Sequence, residues 1–367
     1  MTEYGFQIRN IFLWTLMTCV HTSPAWATPN EGSLVVWGDS FYGQSNVPAG
    51  NDFVAIAAGS FFDLALKSDG SLVGWGESFS GQTNVPSGSD FVAVAAGGGH
   101  GLALKSDGSL AGWGVNFDGQ INVPTGNDFV SISAGAIHSL GLKSDGTLAG
   151  WGPNLFGAAN VPTGNDFVAI AAGVNHSLAL KSDGSLTAWG DNNHGQTDVP
   201  TGNDFVSIAA GAHWSLALKS DGSLAAWGGN SHGETSNLPV DGRFVAIAAG
   251  EVNGVALKAD GSLVGWGGNW AGQANVPTGN RFLAIAAGFS HGLAIRQVPE
   301  PATLALLTVG VPFLVWRKPR RSLSGEMDGG RRFALAVATR SVGVARREQR
   351  RLLNRGSICK KKERRSP

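Results

Sequence analysis

Four histidines, His100, His138, His176 and His291, recur at one position of a repeated segment. Imidazoles at a fixed spacing are candidate metal ligands, since neutral His binds zinc, copper or nickel. The same position holds Phe62, Trp214 and Asn253 in other copies. A position that accepts Phe and Trp is a packing position, so structural histidines and no metal are expected. Six carboxylates fall in the variable segments: Asp39, Glu77, Asp118, Asp191, Glu234 and Glu251. Two of them at working distance would make an acid–base pair for glycan chemistry, but their spacing brings no two together. No phosphate loop, metal-ligand cluster or nucleophile motif is present. No catalytic residue and no cofactor is therefore expected. A glycan-acting lyase or hydrolase remains the alternative, because a fold does not dictate its function.

The second group of candidates is aromatic. Phe41, Tyr42, Phe61, Phe62, Phe79, Phe117, Phe156, Trp214, Trp270 and Phe289 lie in segments that differ from copy to copy. Near them are Asn154, Asn192, Asn193, His194, Asn230 and Asn269. Rings with adaptable polar neighbours suit recognition of a protein or a polysaccharide. The competing reading is that the rings tuck back into the core, as most large aromatics do. The chain would then be a purely structural matrix protein.

These residues sit on a strict repeat. A Trp-Gly pair falls at Trp37, Trp75, Trp113, Trp151, Trp189, Trp227 and Trp266, and a Phe marker at Phe53, Phe91, Phe129, Phe167, Phe205, Phe244 and Phe282. Both mark seven units of about 38 residues, a period of repeat architectures. Within one unit, 167–173, 176–182, 184–190 and 195–199 predict four short strands, with no room for a helix. Asp183-Gly184 predicts a tight hairpin turn, and Asp-Gly recurs at Asp69, Asp107, Asp145, Asp221 and Asp260. These carboxylates lack the alternating ligand pattern of a calcium loop. The Ala- and Gly-rich first strand fits a crowded axis, and the Trp of the third fills the wedge between neighbours. An all-β, seven-bladed β-propeller of four-stranded blades follows. The body starts with a third strand and ends with a second, so pairing of N- and C-terminal strands should close the ring and remove its edges.

The Gly-x-x-His-Ser-Leu-Ala-Leu core at Gly173–Leu180 and the Gly-x-Leu-x-x-Trp-Gly core at Gly184–Gly190 resemble the regulator of chromosome condensation repeat family. The resemblance covers residues 32–296. The units are shorter than in the eukaryotic namesake and carry no inserted wedge-like loop, which tells against nucleotide exchange on a small GTPase. They look more like exported bacterial members. The resemblance implies protein binding through a propeller face.

Charge separates the chain into two parts. Residues 28–297 hold nine Lys/Arg against 21 Asp/Glu, whereas 298–367 hold 17 against five. An acidic body argues against a nucleic-acid partner. The cysteines, Cys19 and Cys359, lie outside the repeats, so packing alone must stabilise them. Residues 1–27 predict a signal peptide: Arg9, an apolar run from Ile11 to Val20, and Ala25-Trp26-Ala27 for cleavage after Ala27. At the other end come Pro299-Glu300-Pro301, a hydrophobic segment 302–316, and the basic cluster Arg317, Lys318, Arg320 and Arg321. This order resembles the PEP-CTERM sorting signal. The resemblance implies an exosortase-type sorting protease as partner, transient anchoring in the inner membrane through 302–316, and delivery to the cell envelope or extracellular matrix of a Gram-negative-type bacterium. The chain departs from that pattern in its further 46 residues, 322–367, a basic tail expected to be disordered. The domain plan is thus 1–27 signal peptide, 28–297 monomeric propeller, 298–321 sorting signal and 322–367 tail.

Overall fold

A computed structural model describes residues 31–298. The signal peptide with Ala25 and Ala27, the sorting signal with Pro299, Glu300, Pro301, Arg317, Arg320 and Arg321, and the tail lie outside them.

Every regular element among the described residues is a strand. Strand β1 is Gly32–Gly38; blade 1 is β2 (Phe53–Ala58), β3 (Phe62–Lys67) and β4 (Leu72–Gly76). Blade 2 is β5 (Phe91–Ala96), β6 (His100–Lys105) and β7 (Leu110–Gly114); blade 3 is β8 (Phe129–Ala134), β9 (Ser139–Lys143) and β10 (Leu148–Trp151). Blade 4 is β11 (Phe167–Ala172), β12 (His176–Lys181) and β13 (Leu186–Gly190); blade 5 is β14 (Phe205–Ala210), β15 (Trp214–Lys219) and β16 (Leu224–Gly228). Blade 6 is β17 (Phe244–Ala249), β18 (Asn253–Lys258) and β19 (Leu263–Gly267), followed by β20 (Phe282–Ala287) and β21 (His291–Gln297). Blade 7 is completed by β1, which pairs antiparallel with β21 from Gly32↔Gln297 to Gly38↔His291. The inner strands touch in a full circle that includes β2 against β20. The molecule is a seven-bladed propeller closed by its terminal strands, as expected.

The blades have three strands rather than four. The segment expected as the fourth, 195–199 in blade 4, is a run of turns. Asp198 N donates to Gly195 O and Val199 N donates to Thr197 O, while Gly195 sits at φ +78°. Backbone groups bonded locally are not available for a ladder, and the following Pro200 has no N–H to offer.

Seven hydrophobic clusters occupy the seven blade-to-blade interfaces. One joins Leu64, Leu66 and Phe62 of blade 1 to Phe91, Val94 and Trp113 of blade 2; another joins Leu34, Leu293 and Ile295 of blade 7 to Phe53, Ile56 and Trp75 of blade 1. A blade therefore buries its apolar side only against neighbours. Each repeat Trp also donates from Nε1 to the backbone of the preceding unit, as Trp75 does to Gln44 O at 2.8 Å and Trp37 to Gln273 O at 2.9 Å. At the axis, Gly59, Gly97, Gly135, Gly173, Gly211, Gly250 and Gly288 meet in a ring. A Cβ on any of them would come under 3.0 Å from the carbonyl oxygen of the next blade's glycine.

The two faces differ as the repeat implied. One carries Asp-Gly turns and connectors. There Asp69 Oδ1 accepts from Ser71 N at 2.9 Å and Oγ at 2.6 Å, and Gly70 takes φ +82°. The Ser71 hydroxyl, then its N–H, hold the Asp69 carboxyl below its usual range. On the same face Lys67 pairs with Asp52 at 3.2 Å and caps Phe53, a pattern repeated in blades 2 to 5. The other face carries the loops that differ from blade to blade.

Candidate functional site

The recurring histidines do not converge. Each reaches into the next blade: His100 Nε2 lies 3.0 Å from Ser139 Oγ, His138 Nε2 2.8 Å from Ser177 Oγ, and His176 Nε2 3.0 Å from Ser215 Oγ. The serine hydroxyls already donate to Gln120 O, Ala158 O and Gln196 O. A hydroxyl has one proton, so Nε2 must be the donor. Burial lowers the pKa of all three to about 4. The remaining units obey the same logic by repeat register. Phe62 and Trp214 occur where the next blade places Gly101 and Gly254, leaving room for a larger ring. His291 meets Asp63 at 2.8 Å, both fully buried. Asn253 faces Gly292 in register, and its amide atoms have no hydrogen-bond partner. Among the described residues no group of three or more His, Cys, Asp or Glu is placed to hold a metal. These imidazoles are blade-to-blade locks. Ser177→Ala, which strips the acceptor from buried His138, is expected to cost about 1–3 kcal/mol in urea unfolding; a cost below about 0.5 kcal/mol would refute the lock.

Several variable-face carboxylates serve the loops. Asp39 Oδ1 accepts from Phe41 N, Asp191 Oδ2 accepts from Gln196 Nε2, and Glu234 accepts from His232 N. The amides of Asn154, Asn192 and Asn269 donate across their loops to Asn160, Asp198 and Asn275, and Asn230 Oδ1 accepts from Thr235 N. Sequence reasoning offered these four asparagines to a ligand; folding commits them to loop closure. Asn193 and His194 are exposed. Trp214 is a correction. It is 1% exposed in the blade 5–6 core, with Nε1 donating to Glu251 O at 3.0 Å, because it occupies the lock position rather than a loop tip.

Phe62, at the same lock position, is likewise fully buried, and the other aromatics make up the candidate site. After each outer strand the chain makes the same tight loop, with a glycine at positive φ such as Gly43 at +85°. A buried side chain pins most of these loops: Gln44 Oε1 accepts from Tyr42 N, Gln82 Oε1 from Ser80 N, Gln120 Oε1 from Asp118 N, and Gln273 Oε1 from Ala271 N. The Leu155 loop, with Ala158 at that position, is held by Asn154, whose Oδ1 accepts from Ala159 N. The residue at the loop tip points to solvent. It is Phe41 (82% exposed), Phe79 (86%), Phe117 (85%), Leu155 (80%) and Trp270 (58%). Around the ring these belong to blades 7, 1, 2, 3 and 6, so closure makes them one uninterrupted arc over five blades. Phe156 is exposed beside Leu155. Blades 4 and 5 interrupt the arc with Asn193 and Ser231, and present imidazoles instead. The rings of His194 and His213 lie 4.8 Å apart, tilted by 44°, and His232 meets the edge of Trp270 at 5.2 Å.

Inward from the arc runs an aromatic line. Phe41, Tyr42, Phe61 and Phe289 follow one another at 5.0, 4.8 and 5.2 Å between ring centres. Phe61 and Phe289 are half-buried, and Phe289 reaches an open axial cavity of about 380 Å³ lined by three residues from every blade. The line crosses the seam where the chain ends meet. Leu155, His213 and His232 were not singled out from sequence. Leu155 was detectable, since it aligns with Phe117 in the repeat; the two histidines had no comparable signal.

Residues 53–82, 91–120, 167–196 and 205–234 each match the sequence profile of the Regulator of chromosome condensation (RCC1) repeat. The chain thus carries RCC1 repeats in blades 1, 2, 4 and 5. No curated protein matches it by sequence. Its fold is similar to that of Prp20p from Saccharomyces cerevisiae (TM-score 0.65, 19% identity, covering 78% of this chain and 94% of that one). It is also similar to human WBSCR16 (0.62, 18%, 73% and 99%). A third likeness is to the CRINKLY WD40 ectodomain of the Arabidopsis thaliana receptor kinase ACR4 (0.55, 23%, 68% and 99%). These likenesses are of fold.

Proposed function

We propose that this chain is a non-catalytic interaction scaffold that holds a protein partner on the variable face, outside the cell. One observation carries the reading: five consecutive blades display a large apolar side chain at the tip of a hydrogen-bond-pinned loop. Contiguous exposed apolar surface marks interaction sites, and rigid aromatic anchors lose little entropy on binding. A protein is favoured over a polysaccharide because the asparagines beside the rings are spent inside their own loops. Prp20p, of the same fold, has been characterised for binding Gsp1p and histones. Export, exosortase processing and placement in the envelope or matrix are proposed from the residue patterns at 1–27 and 298–321 alone.

The test is affinity capture from envelope and medium fractions of the source cells. The baits are the wild-type chain, a Phe41→Ser/Phe79→Ser/Phe117→Ser variant and the opposite-face Ser106→Ala. One reproducible protein should come with the wild type and Ser106→Ala, and fall at least about tenfold with the triple variant. The triple variant should unfold within about 0.5 kcal/mol of wild type per site, since the rings are exposed. Intact mass of the native chain should show ends near residues 28 and 300. Capture that ignores the three phenylalanines would overturn the binding claim, and an unprocessed cytoplasmic chain the export claim.

A further inference from the structure

The axial cavity contains one feature that blade convergence does not demand. Its lining is Gly and Ala apart from Ser60, Val174, Glu251 and Phe289. Small side chains there follow from seven strands meeting at an axis. Glu251 does not: the corresponding residues in the other blades are Ser60, Gly98, Ala136, Val174, Ala212 and Phe289. It is the ionisable residue among those lining the cavity. Its Oε2 is shielded from water and has no hydrogen-bond partner. No donor of the protein itself compensates this carboxylate, which leaves it available to an external counter-ion. Burial accordingly raises the Glu251 carboxyl, opposed by the field of His232. Glu251 N donates to Gly288 O at 3.4 Å, which sets Glu251 and Phe289 on adjacent blades at the cavity wall. Phe289 is also the inner end of the aromatic line from Phe41.

We propose that the axial cavity receives one ammonium or guanidinium group, the tip of a Lys or Arg side chain projected by the bound protein, with Glu251 as counter-ion and Phe289 as a cation–π wall. The proposal rests on the scaffold reading above and specifies how the partner is held. A volume of about 380 Å³ is at the small end of ligand pockets, suited to a side chain rather than a folded segment. The excess of acidic over basic residues in 28–297 would draw a basic partner to the face.

The probe is the peptide acetyl-Gly-Lys-Gly-amide, with its norleucine counterpart as the uncharged control, titrated by NMR at pH 7.5 against the full chain. The lysine peptide should bind with a Kd in the millimolar range, at least about fivefold tighter than the norleucine peptide. Glu251→Gln should erase that preference, and Val174→Trp, which fills the cavity, should abolish binding with Glu251 intact. Both variants are checked for unchanged melting. Equal affinity for the two peptides, no binding at roughly 10 mM, or a preference that survives Glu251→Gln would overturn the proposal. Capture through the loop-tip phenylalanines is read separately, so a failed peptide with intact capture sinks only the cavity claim. Peptide binding with failed capture sinks only the scaffold.

Discussion

A chain lacking Glu31–Gly38 should lose its folded monomer. Those residues carry β1, which supplies the outer strand of blade 7 and covers both of its neighbours. Leu34 and Val36 pack into the blade 7–1 cluster, whereas Val35 and Trp37 pack into the blade 6–7 cluster. Four apolar side chains at about 1.5 kcal/mol each amount to roughly 6 kcal/mol of lost burial. The backbone of β21, paired with β1 over seven residues, would also become a bare edge. Net stabilities of about 5–15 kcal/mol leave little margin for that loss. Light scattering after size exclusion should show oligomers or aggregate, and the cooperative melt should disappear. Moving residues 31–48 to follow Gln297 through a short linker should restore both, because the ring needs β1 in place but not at the chain's beginning. A truncated chain that stays monomeric and melts near the wild-type temperature would mean that the ring does not depend on its terminal strands.

Acid should unfold the propeller in two stages. His100, His138 and His176 are held neutral by burial, with pKa lowered from 6.5 to about 4. The unfolded chain binds these protons near pH 6.5 and the folded one only near 4. Stability is therefore complete above pH 6.5, falls between 6.5 and 4, and stops falling from this cause below 4. Each histidine contributes on the order of 3 kcal/mol over that window, so the three together rival the whole net stability. Asp63 has the opposite sign: burial raises its carboxyl, against the pull of His291, so acid relieves it. The turn aspartates act later, because their carboxyls are lowered from 3.8 and their support is lost only as pH falls below that value. Urea midpoints measured from pH 7.5 to 4.5 should drop steeply through the first window. Replacing one lock with an arrangement already used between blades 1 and 2, His100→Phe with Ser139→Gly, should remove about a third of the slope. A flat profile from pH 7 to 5 would show that the buried imidazoles are not held neutral.

Much of the ring was legible because one module is written seven times. The positions that recur, such as the Trp-Gly pair and the small residues of the inner strand in all copies and Lys-Ser-Asp-Gly in five of them, have one structural task each. The missing fourth strand was not legible: a five-residue segment before a proline has strand-like composition, and its backbone bonds to itself only once Gly195 takes a left-handed turn. The lock position illustrates a different limit. A column of His, Phe, Trp and Asn suggests packing, yet the reason for each choice lies in the next blade, in whether it offers a hydroxyl, a carboxylate or a glycine.

The amino-acid sequence by itself determined the number of modules, their strand order, the joining of the two ends and which face varies, because periodicity and turn chemistry are local properties. Only the tertiary structure decided that Phe41, Phe79, Phe117, Leu155 and Trp270 form one arc, that Trp214 is absent from it, and that Glu251 stands at the axis. Adjacency around a closed ring depends on contacts between residues far apart in the chain. Trp270 and Phe41 become neighbours only when the first strand meets the last.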